Sequence, residues 1–289
     1  MIKTAALIIL ILGDLNFTGL QYMTAFSKAD YDPVFSLKSA APVSAKADIA
    51  IANLEGPLTF AEWSTDSEHK QWRFRQLPIF AKGIKESGIN ILLLGNNHIA
   101  DAGEQGIQDT ITVLKEEGLS WVPSPHEGPL VIDRSGMIAE LWNADVFSLP
   151  GSHPWAMESR ELIDLIAKRY KSNKKPGTVI TFIHGHFLKK KPMEELAMQL
   201  RNSGVDWVIF GGEHAPANMI ADKNGGVHYG VGDFIFGCEC SGATQGKALV
   251  LKARSGDTLA QEINVQLGQS TNGYVTTFVS PVDLNPSNK

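Results

Sequence analysis

The segment of the sequence richest in chemically capable side chains is residues 95–103, which holds Asn97, His98 and Asp101. It follows an apolar run at residues 89–94 that is typical of a buried strand, and it leads into a segment with helical spacing. Polar groups released at the carboxyl end of a buried strand usually face a ligand crevice rather than the core. We therefore expect these three side chains to take part in catalysis or ligand binding.

Other apolar runs end in a similar way. They are followed by carboxylates or imidazoles, namely Asp14, Glu55, His184, His186 and His214. Oxygen and nitrogen donors of these kinds suit Mn²⁺, Fe²⁺, Zn²⁺ or Mg²⁺, whereas thiolate-rich sites select other ions. The sequence therefore predicts a centre for one or two divalent cations where the strands end.

Several of these residues also have a structural interpretation. Asp14 and Glu55 could cap neighbouring turns, and His98 could be a hydrogen-bonded loop histidine without a catalytic role. Only one of two adjacent amides can face the crevice, so we expect Asn97 to bind a ligand and Asn96 to be structural. The other histidines are expected to be non-catalytic, and the last of them is the first candidate for an exception: His69, His126, His153 and His228.

Strand-like and helix-like segments alternate along most of the chain. Strands are predicted at residues 5–12, 48–53, 89–94, 178–183 and 205–210. Helices are predicted at residues 78–87, 105–117, 158–170 and 193–202. This alternation indicates βαβ units and a mainly parallel sheet. Two hairpins follow, at residues 219–231 and 247–265, and they predict a second, antiparallel layer.

The composition is that of an ordinary soluble globular protein, with 43% hydrophobic and 20% charged residues among 289. A formal charge of -5 gives no basic surface, so nucleic acid is not an expected partner. No apolar run beyond the N-terminus approaches the roughly 18 residues that cross a bilayer. The sequence therefore predicts no membrane span.

The N-terminal residues 1–12 allow two interpretations. A lysine followed by an apolar run is typical of a secretory signal, which would make the protein exported or membrane-associated. We prefer a first buried strand in a cytoplasmic protein, because the run passes into Gly13 and Asp14 without a small-residue cleavage site.

The two cysteines, Cys238 and Cys240, are separated by a single residue in the sequence. That spacing is unfavourable for a bridge within one extended strand, so we predict reduced thiols. We do not expect them to bind metal, since no second cysteine or histidine pair has a suitable spacing.

Arg73 and Arg75 alternate with Trp72 and Phe74, so the two guanidinium groups should project to one side of the chain. Arg75 could bind an anionic substrate in a bidentate manner. The alternative is the charged outer face of an amphipathic strand, and the residues favour neither interpretation.

Taken in order, the motifs resemble the bacterial CapA family of capsule and poly-γ-glutamate synthesis proteins, within the calcineurin-like metallophosphoesterase superfamily. The resemblance covers about residues 10–236. Its motifs are Gly13-Asp14, Asn53-Leu54-Glu55-Gly56-Pro57-Leu58, Phe74-Arg75-Gln76-Leu77-Pro78, Asn96-Asn97-His98 with Asp101 and Gly103, His184, Gly212-Glu213-His214, and Tyr229-Gly230-Val231-Gly232-Asp233-Phe234-Ile235-Phe236.

The resemblance implies a four-layer α/β/β/α sandwich over residues 1–266, with 267–289 as a peripheral tail. By analogy, Asp14 would bind a first metal ion and Glu55 would bridge two ions. The second ion would be bound by Asn97, His184 and His214. Two ions would clamp an anionic substrate and activate a water molecule as nucleophile.

Outside the metal ligands, the resemblance assigns His98 to a leaving oxygen, which it would stabilise or protonate. Asp101 lies three residues further on and could accept the other N–H of that ring, fixing its tautomer.

Three departures from the family pattern affect these roles. The segment after His184 lacks the usual tryptophan and glutamate, Pro216 stands where a second histidine is usual, and Asp233 replaces an asparagine. Compensation could come from His186, Glu213 or Asp233, and substrate contacts are assigned to Arg75, His186 and Asp233. The departures weaken the first metal position most, so a centre with a single ion is also consistent with the sequence.

The resemblance predicts a metal-dependent hydrolase or transferase. Its substrate would be small and anionic or γ-glutamyl, with a phosphate, carboxylate or amide group, in capsule or related envelope metabolism. Two alternatives remain open at this point. One is a non-catalytic binding or assembly component of a polymer-synthesis complex, and the other is an acyl-transfer enzyme of small-molecule biosynthesis.

Overall fold

A computed structural model describes residues 6–172, 177–185, 189–238, 240, 242–254, 257–267 and 276–279. Its α-helices are α1 (Leu20–Lys28), α2 (Ala41–Ser44), α3 (Phe80–Glu86), α4 (Gly103–Glu116), α5 (Ser159–Ser172) and α6 (Lys190–Asn202). The strands from the first half of the chain are β1 (Leu7–Asn16), β2 (Ile49–Leu54), β3 (Ile91–Leu93), β4 (Ser120–Trp121), β5 (Leu130–Arg134) and β6 (Met137–Asp145). The later strands are β7 (Thr178–His184), β8 (Trp207–Gly211), β9 (Met219–Asp222), β10 (Gly225–His228), β11 (Asp233–Phe236), β12 (Gln245–Arg254), β13 (Asp257–Gln266) and β14 (Thr277–Phe278).

The strands form two mixed sheets. In the first sheet the order is β14-β13-β12-β1-β2-β3-β4, and β11 also pairs with β1. The second sheet has the order β5-β6-β7-β8-β10-β9. In the first sheet, β1 to β4 are parallel up to the β4 edge, and antiparallel pairs extend the opposite edge. In the second sheet, parallel strands occupy the middle and antiparallel pairs extend both edges.

The two predicted hairpins form as expected, but the predicted separate antiparallel layer is wrong. The hairpin of β9 and β10 joins the second sheet beside β8, and the hairpin of β12 and β13 joins the first sheet beside β1. An edge strand leaves a row of unpaired N–H and C=O groups. Each hairpin pairs with one such edge, so each hairpin extends one of the two sheets.

Strand β1 shows why the fold has four layers. Its residues Leu7, Ile9 and Ile11 pack between the two sheets, against side chains such as Trp207 of the second sheet. The alternate residues of β1 pack into the opposite core, with helix residues such as Phe80. A strand buried on both faces needs an uninterrupted apolar run, which is what the sequence of β1 supplies.

Helices α5 and α6 cover the outer face of the second sheet. Leu162 and Ile166 of α5 share a buried cluster with Leu200 of α6 and with Val179 and Phe210 of the sheet. Burying each such side chain contributes about 1.5–3 kcal/mol. The predicted α/β/β/α sandwich is confirmed.

The N-terminal apolar run forms the first strand of the structure. From residue 7 onward the run is β1, at the centre of the first sheet, which confirms the predicted strand. Across the described ranges, the helices are all too short or too polar to cross a membrane.

Strands β5 and β6 are a hairpin absent from the sequence prediction. Their connecting residues, Ser135 and Gly136, both have positive φ values, of 54° and 82°. Such backbone values are typical of the tight turns that join antiparallel strands. The Ser-Gly pair was the available signal.

The prediction of reduced thiols is wrong, because Cys238 and Cys240 form a disulfide. Two positions along an extended strand lie about 6.6 Å apart. Here the chain leaves β11 at Phe236 and turns, which brings the two Cα atoms to 5.2 Å, within the range of a disulfide.

Candidate metal centre

The centre is built around Asp14, near the carboxyl end of β1. Asp14 is in register with Asn53 of β2 on one side and with Asp233 of β11 on the other. The register of β1 shifts beside Asp14 with both neighbours, an irregularity that is common next to active sites. Gly13 permits this close approach, since a Cβ there would lie 1.9 Å from the carbonyl oxygen of Gly232.

Asp14, Glu55 and His214 come together at this point, with one ligand atom from each within 4.8 Å of the others. His214 Nδ1 lies 3.8 Å from Asp14 Oδ2, and His214 Nε2 lies 3.8 Å from Glu55 Oε1. Both carboxylates are 1% exposed. Three side chains from different strand ends therefore form one buried cluster.

Two carboxylate oxygens of the cluster, Asp14 Oδ2 and Glu55 Oε2, have no hydrogen-bond partner in the described part of the chain. Leaving a buried polar atom unsatisfied costs about 1–3 kcal/mol, and more when it is charged. A divalent cation would satisfy both oxygens, and the donor set of two carboxylates and an imidazole is one that such ions accept. The residues present fit a divalent cation.

The pKa shifts in the cluster also favour the binding of a cation. Burial, and then the neighbouring Asp233, raise the pKa of Asp14 to about 6. Burial and Asp14 raise the pKa of Glu55 well above its usual range. Burial opposes the charged form of His214, but Glu55, Asp233 and Asp14 together raise its pKa to about 10. The crowded, buried carboxylates thus resist ionisation when no cation is present, and they stabilise a positive charge on His214.

Asn97 and His184 lie beside this cluster and contact each other, with Asn97 Oδ1 2.8 Å from His184 Nε2. His184 shares a cavity of about 30 Å³ with Asp14 and Asn53, between the two sheets. A cavity of this size accommodates a water molecule. The structure therefore brings all five sequence-predicted ligands to one region, in two groups: Asp14, Glu55 and His214, and Asn97 with His184.

A second group of catalytic interest surrounds Asp101, which is fully buried. Its carboxylate accepts hydrogen bonds from His98 Nδ1 at 2.7 Å, from the Phe74 backbone N–H at 2.7 Å and from Lys70 Nζ at 2.6 Å. The Phe74 ring also covers the imidazole, with ring centroids 4.1 Å apart. The contact between His98 and Asp101 that their spacing suggested is present.

The environment of His98 favours the neutral imidazole. Burial lowers its pKa, although the hydrogen bond to Asp101 works in the opposite direction. With Nδ1–H donated to the carboxylate, the ring keeps Nε2 as an acceptor.

Asn96 has the structural role that was expected for it. Its side-chain N–H group donates to Asn53 Oδ1 at 3.1 Å and to the Leu54 carbonyl at 2.8 Å. Asn53 in turn donates to Asp14 Oδ1 at 2.9 Å. This chain of amides holds the ends of β1, β2 and β3 in a fixed arrangement.

The residues assigned to substrate contacts lie in different places. Arg75 donates to the Ala61 carbonyl, and its guanidinium carbon lies 4.8 Å from the centre of the Trp63 ring. Asp233 is buried against His214, 2.8 Å from Nδ1. His186 lies outside the described residues, and the roles of all three in substrate binding stay predictions.

A buried pair next to the centre, Asp145 and His153, was not predicted from the sequence. Asp145 Oδ2 lies 3.0 Å from His153 Nε2, and the Asp145 backbone is in register with His184 across β6 and β7. Burial opposes ionisation of Asp145, but His153 and His184 lower its pKa to about 2. It was missed because β6, the strand that ends at Asp145, was not predicted.

Comparison with known proteins confirms the family resemblance. Residues 8–126 match the family described as bacterial capsule synthesis protein PGA_cap. The capsule biosynthesis protein CapA of Bacillus anthracis is 25% identical in an alignment 231 residues long, which covers 71% of this chain and 54% of that protein. The chain therefore spans about half the length of this curated relative.

Comparison with solved structures gives a similar fold. A structure described as a novel phosphatase from Mycoplasma pneumoniae has a TM-score of 0.55 and 14% sequence identity, over 90% of this chain and 94% of that one. At this identity the likeness concerns the fold alone, and it agrees with the four-layer arrangement.

Proposed function

We propose that this chain is a metal-dependent hydrolase of the phosphoesterase type, acting on a small anionic or γ-glutamyl substrate in capsule or related envelope metabolism. The observation that carries the proposal is the buried cluster of Asp14, Glu55 and His214 with its two unsatisfied carboxylate oxygens. The family resemblance and the phosphatase with a similar fold support the hydrolytic class.

Asp14, Glu55 and His214 would hold a cation, and Asn97 with His184 would face a second one. Mn²⁺, Fe²⁺, Zn²⁺ or Mg²⁺ supplies Lewis acidity, which polarises a phosphoryl or carbonyl oxygen and lowers the pKa of water. Asp14 Oδ2 and Glu55 Oε2 are compatible with this ion because no hydrogen-bond donor among the described residues contacts them.

His98 is the residue we assign to proton transfer. Asp101 holds Nδ1–H, so Nε2 can accept the proton that the attacking water loses and then pass it to the leaving oxygen. Phe74 covers the ring and limits its contact with water. Lys70 holds Asp101 in place and balances its charge.

The test separates metal binding from proton transfer. Protein purified without chelators is analysed for bound metal and assayed with p-nitrophenyl phosphate and a γ-glutamyl anilide. We expect Glu55→Gln to lose both metal and activity. His98→Ala should keep its metal and lose about 10²–10⁴-fold in turnover.

The matched control is His126→Gln, at an exposed histidine, which should behave like the wild type. Failure of the wild-type protein to take up any divalent ion, together with no thermal stabilisation by added Mn²⁺, would rule the proposal out.

One observation favours a second candidate, a non-catalytic assembly component of a polymer-synthesis complex. Pro216 offers no side-chain ligand where the family pattern has a histidine, and it lies at the surface. Phosphatase activity that arises only in Pro216→His would support this candidate, whereas strong turnover by the wild type would exclude it.

A further inference from the structure

Asp233 brings a third carboxylate to the metal centre. It is the first residue of β11, it pairs in register with Asp14, and it is fully buried. Its Oδ1 atom lies 2.8 Å from Nδ1 of His214. Asp233 therefore contacts the imidazole on the side away from Glu55.

The ring of His214 is held in one orientation. Nδ1 lies 2.8 Å from Asp233 Oδ1 and 3.8 Å from Asp14 Oδ2, while Nε2 lies 3.8 Å from Glu55 Oε1. Phe236 packs against the ring with its centroid at 4.5 Å. The backbone of His214 has a φ of 54°, a left-handed conformation that is uncommon for residues other than glycine and that the surrounding contacts must maintain.

We propose that Asp233 is a positioning residue of the metal centre: it holds His214 through Nδ1 and presents Nε2 as the ligand atom for a cation shared with Asp14 and Glu55. This inference rests on the proposed function, because it assumes that a cation binds there. Carboxylates that hold the second nitrogen of a ligating histidine fix its orientation and raise its basicity.

The exchange of an amide for a carboxylate at this position has a chemical consequence. A side-chain amide can donate or accept, so it permits either tautomer of a neighbouring imidazole. An ionised carboxylate only accepts, so it requires the hydrogen on Nδ1 and leaves the lone pair on Nε2. Because Pro216 supplies no ligand, the centre depends more heavily on a correctly oriented His214.

The experiment compares Asp233→Ala and Asp233→Asn with the wild type. A control variant, Glu62→Gln, removes a carboxylate from the exposed surface. Mn²⁺ affinity is measured by electron paramagnetic resonance of the free ion, after circular dichroism has confirmed folding. We expect about 10–100-fold weaker binding in Asp233→Ala, a smaller loss in Asp233→Asn, and less than a twofold change in the control.

A second readout is independent of affinity. ¹⁵N chemical shifts of the histidines in Zn²⁺-loaded protein report which ring nitrogen carries the hydrogen and which binds metal. We expect hydrogen on Nδ1 and metal on Nε2 of His214 in the wild type, and a mixture of nitrogen environments in Asp233→Ala.

The outcomes separate this inference from the proposed function. If the wild type binds no divalent ion, the proposed function fails and this inference fails with it. If the wild type binds Mn²⁺ but both Asp233 variants match Glu62→Gln, or if His214 binds metal through Nδ1, the inference alone is wrong. Should Asp233→Ala fail to fold, Asp233→Asn with its nearly identical shape decides the question.

Discussion

His214 and His228 are both largely buried and both lie beside carboxylates, yet their environments have opposite effects. Three carboxylates surround His214 and raise its pKa to about 10. His228 lies 3.0 Å from Glu262 Oε1, but burial and the nearby Lys247 lower its pKa to about 4. The residue type is the same, but the charged groups around the two histidines differ.

The difference separates a site whose residues suit a cation from a contact that joins two sheets. Near His228, the ammonium group of Lys247 lies 2.9 Å from Glu262, so that carboxylate already has its counter-ion. Around His214, two oxygens lack any partner in the described ranges. Buried carboxylate oxygens without partners, rather than a histidine beside an acid, are the feature that favours a metal centre.

The largest expected effect is the pH dependence of stability that His214 causes in metal-free protein. The folded-state pKa of about 10 lies above the ordinary value of 6.5, so the folded state holds this proton more tightly. The stabilisation is complete below pH 6.5 and is lost as the pH rises towards 10. The free energy of unfolding should fall by about 1.4 kcal/mol per pH unit across this window.

Urea unfolding in excess chelator measures that slope, and His214→Gln should lack it. His69→Gln, at an exposed histidine, is the matched control and should keep the wild-type slope. Equal slopes in wild type and His214→Gln would show that the carboxylates do not act on this histidine.

The next largest effect on the free energy of unfolding is expected for His228, and its pH dependence has the opposite sign. Its folded-state pKa of about 4 lies below 6.5, so the unfolded chain takes up this proton more readily. The contribution of His228 to stability is fully present above pH 6.5. It is lost as the pH falls towards 4, by about 1.4 kcal/mol per pH unit.

Asp14 has the opposite effect on stability at acidic pH. Its raised pKa makes the free energy of unfolding fall as the pH rises from 3.8 to about 6. The contribution of His228 is therefore read as the difference between wild type and His228→Gln in urea unfolding from pH 4 to 7. A difference that is independent of pH would mean that His228 does not titrate as we infer.

The smallest effect is expected for Lys247→Met. Lys247 also donates to the Ala217 carbonyl at 2.7 Å, so the change should cost about 1 kcal/mol of stability through the lost hydrogen bonds. Without this cation the pKa of His228 should rise, which narrows the window measured above. Histidine titration by NMR checks this shift, and an unchanged pKa of His228 would contradict it.

Local patterns were sufficient to predict most of the elements that carry the centre. Apolar runs of the right length gave β1, β2, β3, β7 and β8, because a strand buried on both faces must be apolar throughout. The polar residues at the ends of these strands include Asp14, Glu55, Asn97, His184 and His214, and the family resemblance then assigned these five as the ligand set.

Other features depended on neighbours that are distant in the sequence. The hairpins joined existing sheets because unpaired edges were available, and the cysteines bridged because the chain turns after β11. Lys70 reaches Asp101 from 31 residues away, a contact that no short motif indicates.

The sequence by itself determined which side chains leave the strands and that they are donors suitable for a divalent cation, since both follow from residue type and period. Only the tertiary structure decided which donors lack partners, which nitrogen of His214 is engaged, and that His228 faces a lysine as well as an acid. Those properties depend on distances and burial, because electrostatic energy sums over all charges near a site, whatever their position in the chain.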